Sequence, residues 1–286
     1  MCCWDYVLCW IRSGVWSGKL GGICGRNEDL GTVLCTPWTG ICRSAADTPL
    51  SGRQEKKSMV EMKVLSSHEE WLKARTKIGG SDASAIFGMS PWKTNVNLWA
   101  EKVNNLPPVD ISKKDCVRYG VAAEPLLRAL FALDYPELDV LYEENNIWFN
   151  DRYPWAHASL DGWLIERDTG SKGILEIKTT EIQSGNQRQK WGTPWKPNLP
   201  QNYYIQILHY LMVTEFDFVM LVGQLKSNLT DENGDPALVK TTRHYRVNRS
   251  DDGVEEGIQR LAEEEYRFWK MIQERKEPGS CAHRLC

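Results

Sequence analysis

Three charged residues in the middle of the chain have types and a spacing that suit metal-assisted cleavage of a phosphodiester. Glu176 and Lys178 stand two residues apart in GILEIKTT (173–180), and Asp161 precedes Glu176 by 15 positions. Alternate side chains of a strand point to the same face, so Glu176 and Lys178 project together while Ile177 points into the core. Carboxylate oxygens suit Mg²⁺, which lowers the pKa of an attacking water and stabilises charge on a phosphate. The lysine can orient that water or neutralise the phosphate.

A structural explanation of the same pattern is an ion pair on a solvated strand face, which stabilises a fold very little. The neighbouring residues Ile174, Leu175 and Ile177 instead indicate a mostly buried strand. Because buried charges are costly, paired charges at this position favour a functional site.

Glu124 is a candidate third carboxylate. Apolar spacing predicts an amphipathic helix over residues 121–135, which places Glu124 in its first turn. Two explanations remain open at this point. The positive end of the helix dipole favours a glutamate in a first turn, or Glu124 joins Asp161 and Glu176 and supports a second metal position.

The secondary-structure elements that must position these residues are predicted to be helices early in the chain and mostly strands after residue 145. Helices are predicted first, and the helix over 78–88 is expected to open with Ser81 or Asp82 as N-cap and to end near Gly88. Strand-like alternation follows, with residues 167–173 as a hairpin loop. The sequence predicts helices over 68–76, 78–88, 95–104, 121–135, 203–214 and 254–275, and strands over 145–150, 158–166, 173–180, 216–225 and 243–249. This order predicts a mixed α/β sheet flanked by helices.

Residues 1–58 differ from the rest, since they contain six of the nine cysteines and show no helical or strand periodicity. We expect this segment to be disordered or outside the enzyme core, and residues 59–286 to form the functional domain. An upstream translated extension ending before Met59 or Met62 is one explanation of the segment. A small partner-binding appendage is the other.

Composition narrows the class of protein. The formal net charge of −3 argues against a protein that coats nucleic acid non-specifically. No C-x-x-C or H-x-x-x-H pair supports a zinc site, and no run of ~20 apolar residues predicts a membrane span. The later cysteines indicate a reducing compartment, so we expect an intracellular location, in the cytoplasm or in the nucleus of a eukaryotic host.

Five sequence blocks stand in an order that resembles a nuclease family. They are RTKIGGSDASAIFG (75–88), GVAAEP (120–125), SLDG (159–162), LEIKTT (175–180) and QILHY (206–210). An aspartate followed by Glu-x-Lys on the next strand is the PD-(D/E)xK nuclease pattern. Together the blocks resemble the YqaJ-like viral recombinases, the family of phage lambda exonuclease, over residues 65–275. The resemblance implies a restriction-endonuclease-like fold.

The resemblance implies a role for each motif residue. Asp161 and Glu176 would bind Mg²⁺ together with the backbone carbonyl of Ile177, and Mn²⁺ would be able to substitute. Lys178 would be the catalytic lysine. Glu124 would support metal binding and catalysis.

Arg75 and Ser81 match the pocket of this family for a 5′-terminal phosphate. The glycines before Ser81 predict a tight turn into a helix N-terminus, whose free N–H groups attract an anion. The planar guanidinium of Arg75 also suits phosphate. An ordinary N-capped helix beside a surface arginine is the alternative.

Gln206 and Tyr210 lie one turn apart on a predicted helix. In related nucleases such a helix packs behind the metal site and touches substrate or catalytic groups, whereas a core tyrosine with an incidental polar neighbour is the alternative. His157 and His209 are expected to be packing or polar-network residues. Basic residues beside tryptophans favour a DNA-facing loop over 184–201, although tryptophans that cover the core would give the same pattern.

The activity that the resemblance implies is Mg²⁺-dependent 5′→3′ degradation of double-stranded DNA from its ends. Such enzymes leave a 3′ single strand for a single-strand annealing protein, in support of recombination, and form a homotrimer around DNA. A structure- or sequence-selective endonuclease of the same fold remains an alternative. So does a catalytically silent DNA-end-binding protein.

Overall fold

The computed structural model describes residues 59–107, 109–193, 196–230 and 236–280. These residues all belong to one of two units in the chain, Ser58–Cys286. The extension predicted over residues 1–58 lies outside the described residues. None of the helices in the described ranges is long and apolar enough to cross a membrane.

A five-stranded mixed sheet forms the centre of this unit, with the strand order β2-β4-β5-β8-β9. Its strands are β2 (Leu138–Leu141), β4 (Gly162–Glu166), β5 (Lys172–Ile182), β8 (Phe218–Thr230) and β9 (Pro236–Asn248). Two small antiparallel pairs accompany it, β1 (Val60–Val64) with β3 (Asn146–Asn150), and β6 (Gly192–Thr193) with β7 (Lys196–Pro197). Neighbouring strands of the main sheet are antiparallel except β5 and β8, which are parallel.

Helices flank the sheet, so the predicted mixed α/β architecture is confirmed. They are α1 (His68–Ala74), α2 (Gly80–Ile86), α3 (Asn95–Val103), α4 (Asp115–Asp134), α5 (Gly185–Lys190), α6 (Gln201–Thr214) and α7 (Val254–Gln273). The predicted helices agree with these bounds within a few residues, with α4 as the main exception. The strands β1 and β2, the helix α5 and the β6–β7 pair have no counterpart in the sequence-based prediction.

The crossover from β5 to β8 determines what lies over the sheet. Parallel neighbours cannot be joined by a tight turn, so the chain must pass over one face before it returns. It does so through α5, the β6–β7 pair and α6. Even-numbered residues of β5 such as Ile174 pack with Ile207 and Leu211 of α6, whereas Leu175 and Ile177 pack with Leu127 of α4 on the opposite face.

The helix α2 begins differently from its prediction. Its N-cap is Gly79, not Ser81 or Asp82, and the carboxylate of Asp82 accepts a hydrogen bond from the Gly79 N–H at 3.2 Å. Its end is as predicted, because Gly88 adopts φ 67° and Met89 N–H bonds to the carbonyl of Ser84. Glycine is favoured at such a left-handed C-terminal position.

The helix α4 is longer than predicted. It begins at Asp115, so Glu124 is its tenth residue and the first-turn placement is wrong. Pro125 lies inside the helix, although proline is usually confined to the first turn because it lacks an N–H and crowds the carbonyl four residues earlier. Without a helix end nearby, the dipole explanation for Glu124 no longer applies.

The strand predicted over 158–166 is shorter than expected. β4 begins only at Gly162, which pairs with Leu175, and Asp161 immediately precedes it. The predicted hairpin through residues 167–173 is confirmed, since β4 and β5 are antiparallel with Ile165 opposite Lys172. Asp161 therefore stands at the strand end and not within the strand.

Candidate active site

Glu176 and Lys178 lie side by side on the α6 face of β5. Lys178 Nζ is 2.5 Å from Glu176 Oε1, and Glu176 is only 1% exposed. The ammonium also lies 5.3 Å from the centre of the Tyr203 ring. The prediction that these two side chains project together while Ile177 enters the core is confirmed, since Ile177 is buried against α4.

Asp161 joins them across the end of β4. Continuing the β4–β5 register by one pair places Asp161 opposite Glu176. Its Oδ2 accepts a hydrogen bond from the backbone N–H of Ile177 at 2.8 Å. The side chain of Asp161 therefore takes the place that a further backbone partner would have occupied.

This edge of β5 has no strand partner beyond that point. The pairing with β4 ends at Leu175, yet β5 continues to Ile182. The N–H and the carbonyl of a strand residue face the same neighbour, so the carbonyl of Ile177 faces the side of Asp161. Oxygen atoms of Asp161, Glu176 and Ile177 thus lie around one open strand edge.

Glu124 approaches the cluster from α4. Arg128, one turn further along that helix, donates a hydrogen bond to Glu124 Oε1, and it donates through Nε to the backbone carbonyl of Asp161 at 2.7 Å. The ring of Tyr142 lies 3.5 Å from the Arg128 guanidinium carbon. Arg128 therefore connects the helical glutamate to the loop that presents Asp161.

Burial raises the pKa values of the three carboxyl groups in this cluster. Burial, together with Asp161, raises the pKa of Glu176 to about 8 against the opposing effect of Lys178. Burial and Asp161 also raise the pKa of Glu124 to about 7, although Arg128 opposes the rise. Burial likewise raises the pKa of Asp161. For Lys178, burial by itself lowers the pKa, but Glu176 and Asp161 outweigh burial and raise it.

Gln206 and Tyr210 hold Glu176 from the α6 side. Gln206 Nε2 donates to Glu176 Oε1 at 2.9 Å and to the Tyr210 hydroxyl at 2.8 Å. Burial, with Glu176 nearby, raises the pKa of Tyr210. A Cβ at Gly80 would clash with the Tyr210 ring, so glycine there permits the close contact between α2 and α6.

The donor set fits a hard divalent cation. Glu176 Oε2 is buried and has no hydrogen-bond partner, although its other oxygen has two. Within the described ranges, no group of three or more His, Cys, Asp or Glu side chains is arranged to hold a metal ion. The converging donors are instead two carboxylates and a backbone carbonyl, an all-oxygen set that suits Mg²⁺ because this ion keeps several waters.

Arg75 and Ser81 lie at the two ends of the α1–α2 connection. The guanidinium of Arg75 is 4.3 Å from the Trp71 ring centre, and its buried Nε has no hydrogen-bond partner. Ser81 is exposed next to Gly80, which contacts Tyr210. The ring of His157 faces Gly79, and burial, together with Arg75, lowers the pKa of His157.

The histidines occupy a buried polar network, as predicted. His209 Nδ1 lies 2.6 Å from Glu265 Oε1, and its Nε2 lies 2.9 Å from the carbonyl of His157. Burial by itself lowers the pKa of His209, but Glu265 outweighs it and raises the pKa. This network joins α6 to α7 on the side away from the carboxylates.

The segment 184–201 differs from the predicted DNA-facing loop. Trp191 is buried, and its backbone carbonyl accepts hydrogen bonds from Tyr245 and Arg243. Arg188 donates to Ser227 Oγ at 3.1 Å. For Trp191 the core-covering explanation was therefore correct, whereas Trp195 lies outside the described residues.

Arg128 and Tyr203 are site residues that the sequence analysis missed. Arg128 stands four residues after Glu124, a spacing that places two side chains on one helix face. This spacing was a usable signal. Tyr203 gave no comparable signal, because its contact with Lys178 depends on how α6 lies over β5.

Comparison with known proteins identifies the family of this chain. A family model described as the YqaJ-like viral recombinase domain matches residues 70–217, which is 148 of the 286 residues. The uncharacterized protein YqaJ of Bacillus subtilis (strain 168) is 32% identical over 148 residues, which are 51% of this chain and 42% of that protein. The match thus spans less than half the length of this relative.

Two solved structures are similar at lower identity. The alkaline exonuclease LHK-Exo of Laribacter hongkongensis, in complex with dAMP, is 19% identical, with a TM-score of 0.47 over 73% of this chain and 96% of that chain. A phage-related exonuclease from Haemophilus somnus 129PT is 13% identical, with a TM-score of 0.41 over 70% of this chain and 96% of that chain.

The architecture and the strand-edge cluster therefore define a class, a mixed α/β sheet that carries an Asp…Glu-x-Lys site. This chain belongs to the YqaJ-like viral recombinase domain family. The family predicted from the five sequence blocks is confirmed.

Proposed function

We propose that this protein is a magnesium-dependent deoxyribonuclease that degrades double-stranded DNA in the 5′→3′ direction. The observation that carries the proposal is the group of Asp161, Glu176 and Lys178 at an open strand edge, where Glu176 is buried and burial raises the pKa of both carboxyl groups. Strongly perturbed titratable groups cluster at functional sites. Membership of a viral recombinase family supports DNA as the substrate.

Each residue of the group has a distinct task in this proposal. Asp161, Glu176 and the Ile177 carbonyl hold the metal, and Glu124 supports it from α4. Mg²⁺ bound there would lower the pKa of the attacking water and would stabilise negative charge on the phosphate. Lys178 donates hydrogen bonds to the water or to a phosphate oxygen. Gln206 keeps Glu176 in position, and Tyr210 orients Gln206.

The direction of degradation is assigned to Arg75 and Ser81. An enzyme that starts at a 5′ end needs a group that binds the terminal phosphate, and the Nε of Arg75 is a buried donor without a partner. Ser81 lies beside Gly80, which touches the ring of Tyr210 next to the carboxylates. The proposed phosphate pocket therefore adjoins the proposed cutting site.

The test uses a linear duplex that carries a 5′ phosphate on one strand only. We expect stepwise loss of that strand from its 5′ end with Mg²⁺, the same products with Mn²⁺, and none with EDTA. Glu176→Gln is the matched inactive control. Replacing the 5′ phosphate with a hydroxyl should slow the reaction, and Arg75→Gln should remove most of that difference.

Three results would contradict the proposal. Internal cuts, equally fast with either 5′ end, would indicate an endonuclease of the same fold. End binding that is independent of Mg²⁺ and never leads to cutting would indicate a DNA-end-binding protein. Cutting that survives Glu176→Ala together with Lys178→Ala would place the site elsewhere.

We further propose a homotrimer, a single-strand annealing protein as partner, and an intracellular location. Apolar side chains exposed on α4, Leu126, Leu130 and Leu133, offer a surface for a second copy of the chain. Light scattering after size-exclusion chromatography should give three times the chain mass, and a lower mass for Leu130→Glu with Leu133→Glu. Ala132→Glu, at an exposed position of α4 that is turned away from these leucines, is the control.

We propose that residues 59–286 form the nuclease domain and that residues 1–58 are not part of it. A chain that starts at Met59 should then match the full chain in thermal stability and in cutting rate. Loss of either property would instead support the appendage explanation for residues 1–58.

A further inference from the structure

A second charged surface lies beyond the carboxylate cluster, on the long hairpin of β8 and β9. Lys226 and Lys240 are direct cross-strand partners in this hairpin. Both lie against Tyr119 of α4, with Lys226 Nζ 3.8 Å and Lys240 Nζ 5.4 Å from the centre of its ring. The Tyr119 hydroxyl donates a hydrogen bond to Gln224 Oε1, which fixes the ring in this position.

This pairing of charges is costly for the fold alone. Like charges directly opposite each other destabilise a sheet. In the part of the chain that the structure describes, neither ammonium forms an ion pair, and a tyrosine ring attracts an exposed cation only weakly. Lys240 is exposed and Lys226 is half-buried, so both can meet a ligand. An anion from outside the protein would offset the repulsion between the two ammonium groups.

The position of the pair relative to the carboxylates suggests which anion. Lys226 lies five residues after Leu221, the register partner of Glu176 on β8, although its side chain faces α4 whereas Glu176 faces α6, so Glu124 of α4 is the carboxylate on the same side of the sheet. At ~3.3 Å per strand residue this is about 16 Å, or about five base pairs of duplex at ~3.4 Å each. Tyr119 and Glu124 share α4 and lie about 7.5 Å apart along its axis. A duplex bound at the carboxylates is thus long enough to reach the lysines.

We propose that Lys226 and Lys240 bind backbone phosphates of the DNA about five base pairs from the cleavage position, with Tyr119 as their positioning residue. The inference rests on the proposed function for the place of cleavage. The inference goes further, because it proposes that the bound duplex extends from the carboxylates to the β8–β9 hairpin. The contact is with the backbone, so it is independent of base sequence.

The test measures DNA binding without cutting. A labelled 5′-phosphorylated duplex of about 20 base pairs, which spans both contacts, is titrated in EDTA at several salt concentrations. Lys226→Gln with Lys240→Gln should weaken binding about tenfold and reduce the slope of log K against log salt by about two.

A matched control removes the same charge elsewhere. Lys172 lies at the opposite end of β5, and Lys270 lies 4.7 Å from the centre of the Tyr266 ring on α7. Lys172→Gln with Lys270→Gln should leave the affinity and the salt slope close to wild type. Equal effects of the two double variants would overturn the proposal, because only net charge would then matter.

The positioning role of Tyr119 has its own readout. Tyr119→Phe keeps the ring but loses the hydrogen bond to Gln224, so it should weaken binding less than Tyr119→Leu, which should also lower the salt slope. Circular dichroism melting checks the fold of every variant. If the double lysine variant fails to fold, Lys240→Gln alone, at an exposed position, should still lower the slope by about one.

Failure of this inference can be distinguished from failure of the proposed function. Cleavage of a 5′-phosphorylated dinucleotide, too short to reach the hairpin, should be unchanged in the lysine variant. If the wild-type protein binds DNA through the two lysines but cuts no DNA, the proposed DNA-binding surface is supported and the proposed nuclease activity is disproved. If cutting is normal and the affinity for DNA is unchanged in the double lysine variant, only the proposed DNA-binding surface is disproved.

Discussion

Two clusters of buried charge in this protein have opposite balances. Around Asp82 of α2, one carboxylate meets two lysines, with Lys102 Nζ at 2.9 Å and Lys93 Nζ at 3.6 Å. Burial by itself raises the pKa of Asp82, but the lysines outweigh it and bring the pKa down to about 2. At the edge of β5 the carboxylates outnumber the cations, and burial raises the pKa of Glu176 to about 8.

The difference separates a structural cluster from a functional one. The lysines near Asp82 have further partners, since Lys93 pairs with Glu101 and Lys102 donates to the carbonyl of Lys77. That cluster is complete without a ligand. At the strand edge, one oxygen of Glu176 has no partner at all. A buried carboxylate group that the protein leaves short of positive charge is suited to receive a cation from outside.

Removing a charge from the strand-edge cluster should have the largest effect on activity. We expect Glu176→Gln to lower kcat for duplex degradation about 10³-fold, on the scale of losing one key electrostatic group. Thermal stability should stay the same or rise, because the change removes a carboxylate from a crowded group. Loss of activity and stability together would show that Glu176 is mainly structural.

Removing the charge of Asp82 should show the opposite pattern. Asp82→Asn leaves two lysines facing a neutral group, and breaking such a buried pair costs about 3 kcal/mol of unfolding free energy. The kcat of the folded fraction should hardly change. Urea unfolding tests this, with Asp139→Asn as the control, because Asp139 forms an exposed ion pair with Arg167.

The pH dependence of stability should have opposite signs in the two clusters. Raised carboxylate pKa values stabilise the fold at low pH, and that stability is lost as pH rises through the folded pKa. Without metal, we expect the free energy of unfolding to fall by about 2 kcal/mol between pH 6 and pH 8 because of Glu176 alone. The slope is ~1.4 kcal/mol per pH unit. Added Mg²⁺ should offset this loss.

Asp82 behaves in the other direction. Its folded pKa is depressed, so its stabilisation is present above its ordinary pKa and disappears as pH falls from about 4 to about 2. Metal-free wild type and Asp82→Asn should therefore converge in stability in acid. Differential scanning calorimetry across pH measures both effects, and parallel curves would contradict the comparison.

The smallest expected effect on activity comes from changing Gln206, which holds Glu176 in position. Gln206→Leu removes the hydrogen bond to Glu176 and should lower activity about 10- to 100-fold, mainly through weaker metal binding. Raising the Mg²⁺ concentration should recover part of the loss. Gln201→Leu, at the start of the same helix, should stay within about twofold of wild type.

The sequence was most informative where periodicity and chemistry coincided. The alternation in β5 placed Glu176 and Lys178 together and Ile177 in the core, and the structure agrees. The one-turn spacing of Gln206 and Tyr210 was equally reliable, since both meet near Glu176. Local pattern determines which side chains share a face, so these parts were predictable.

Other parts depended on contacts that local pattern does not contain. The start of α4 was placed at Val121 from apolar spacing alone, whereas the helix begins at Asp115, packs Gly120 near Thr179 and continues through Pro125. Basic residues beside tryptophans favoured a DNA-facing loop over 184–201, but the ring of Trp191 packs against Gly223. Arg128 was missed because one of its partners is the distant carbonyl of Asp161.

The crossover between β5 and β8 has a consequence for when the protein can become active. Asp161 and Glu176 leave the ribosome well before α6 and β8, which must both dock before Gln206 reaches Glu176. Pairings between distant segments form slowly, and domains generally fold as units. A nascent or partly unfolded chain should therefore be harmless to DNA, since the site is assembled only with the complete sheet.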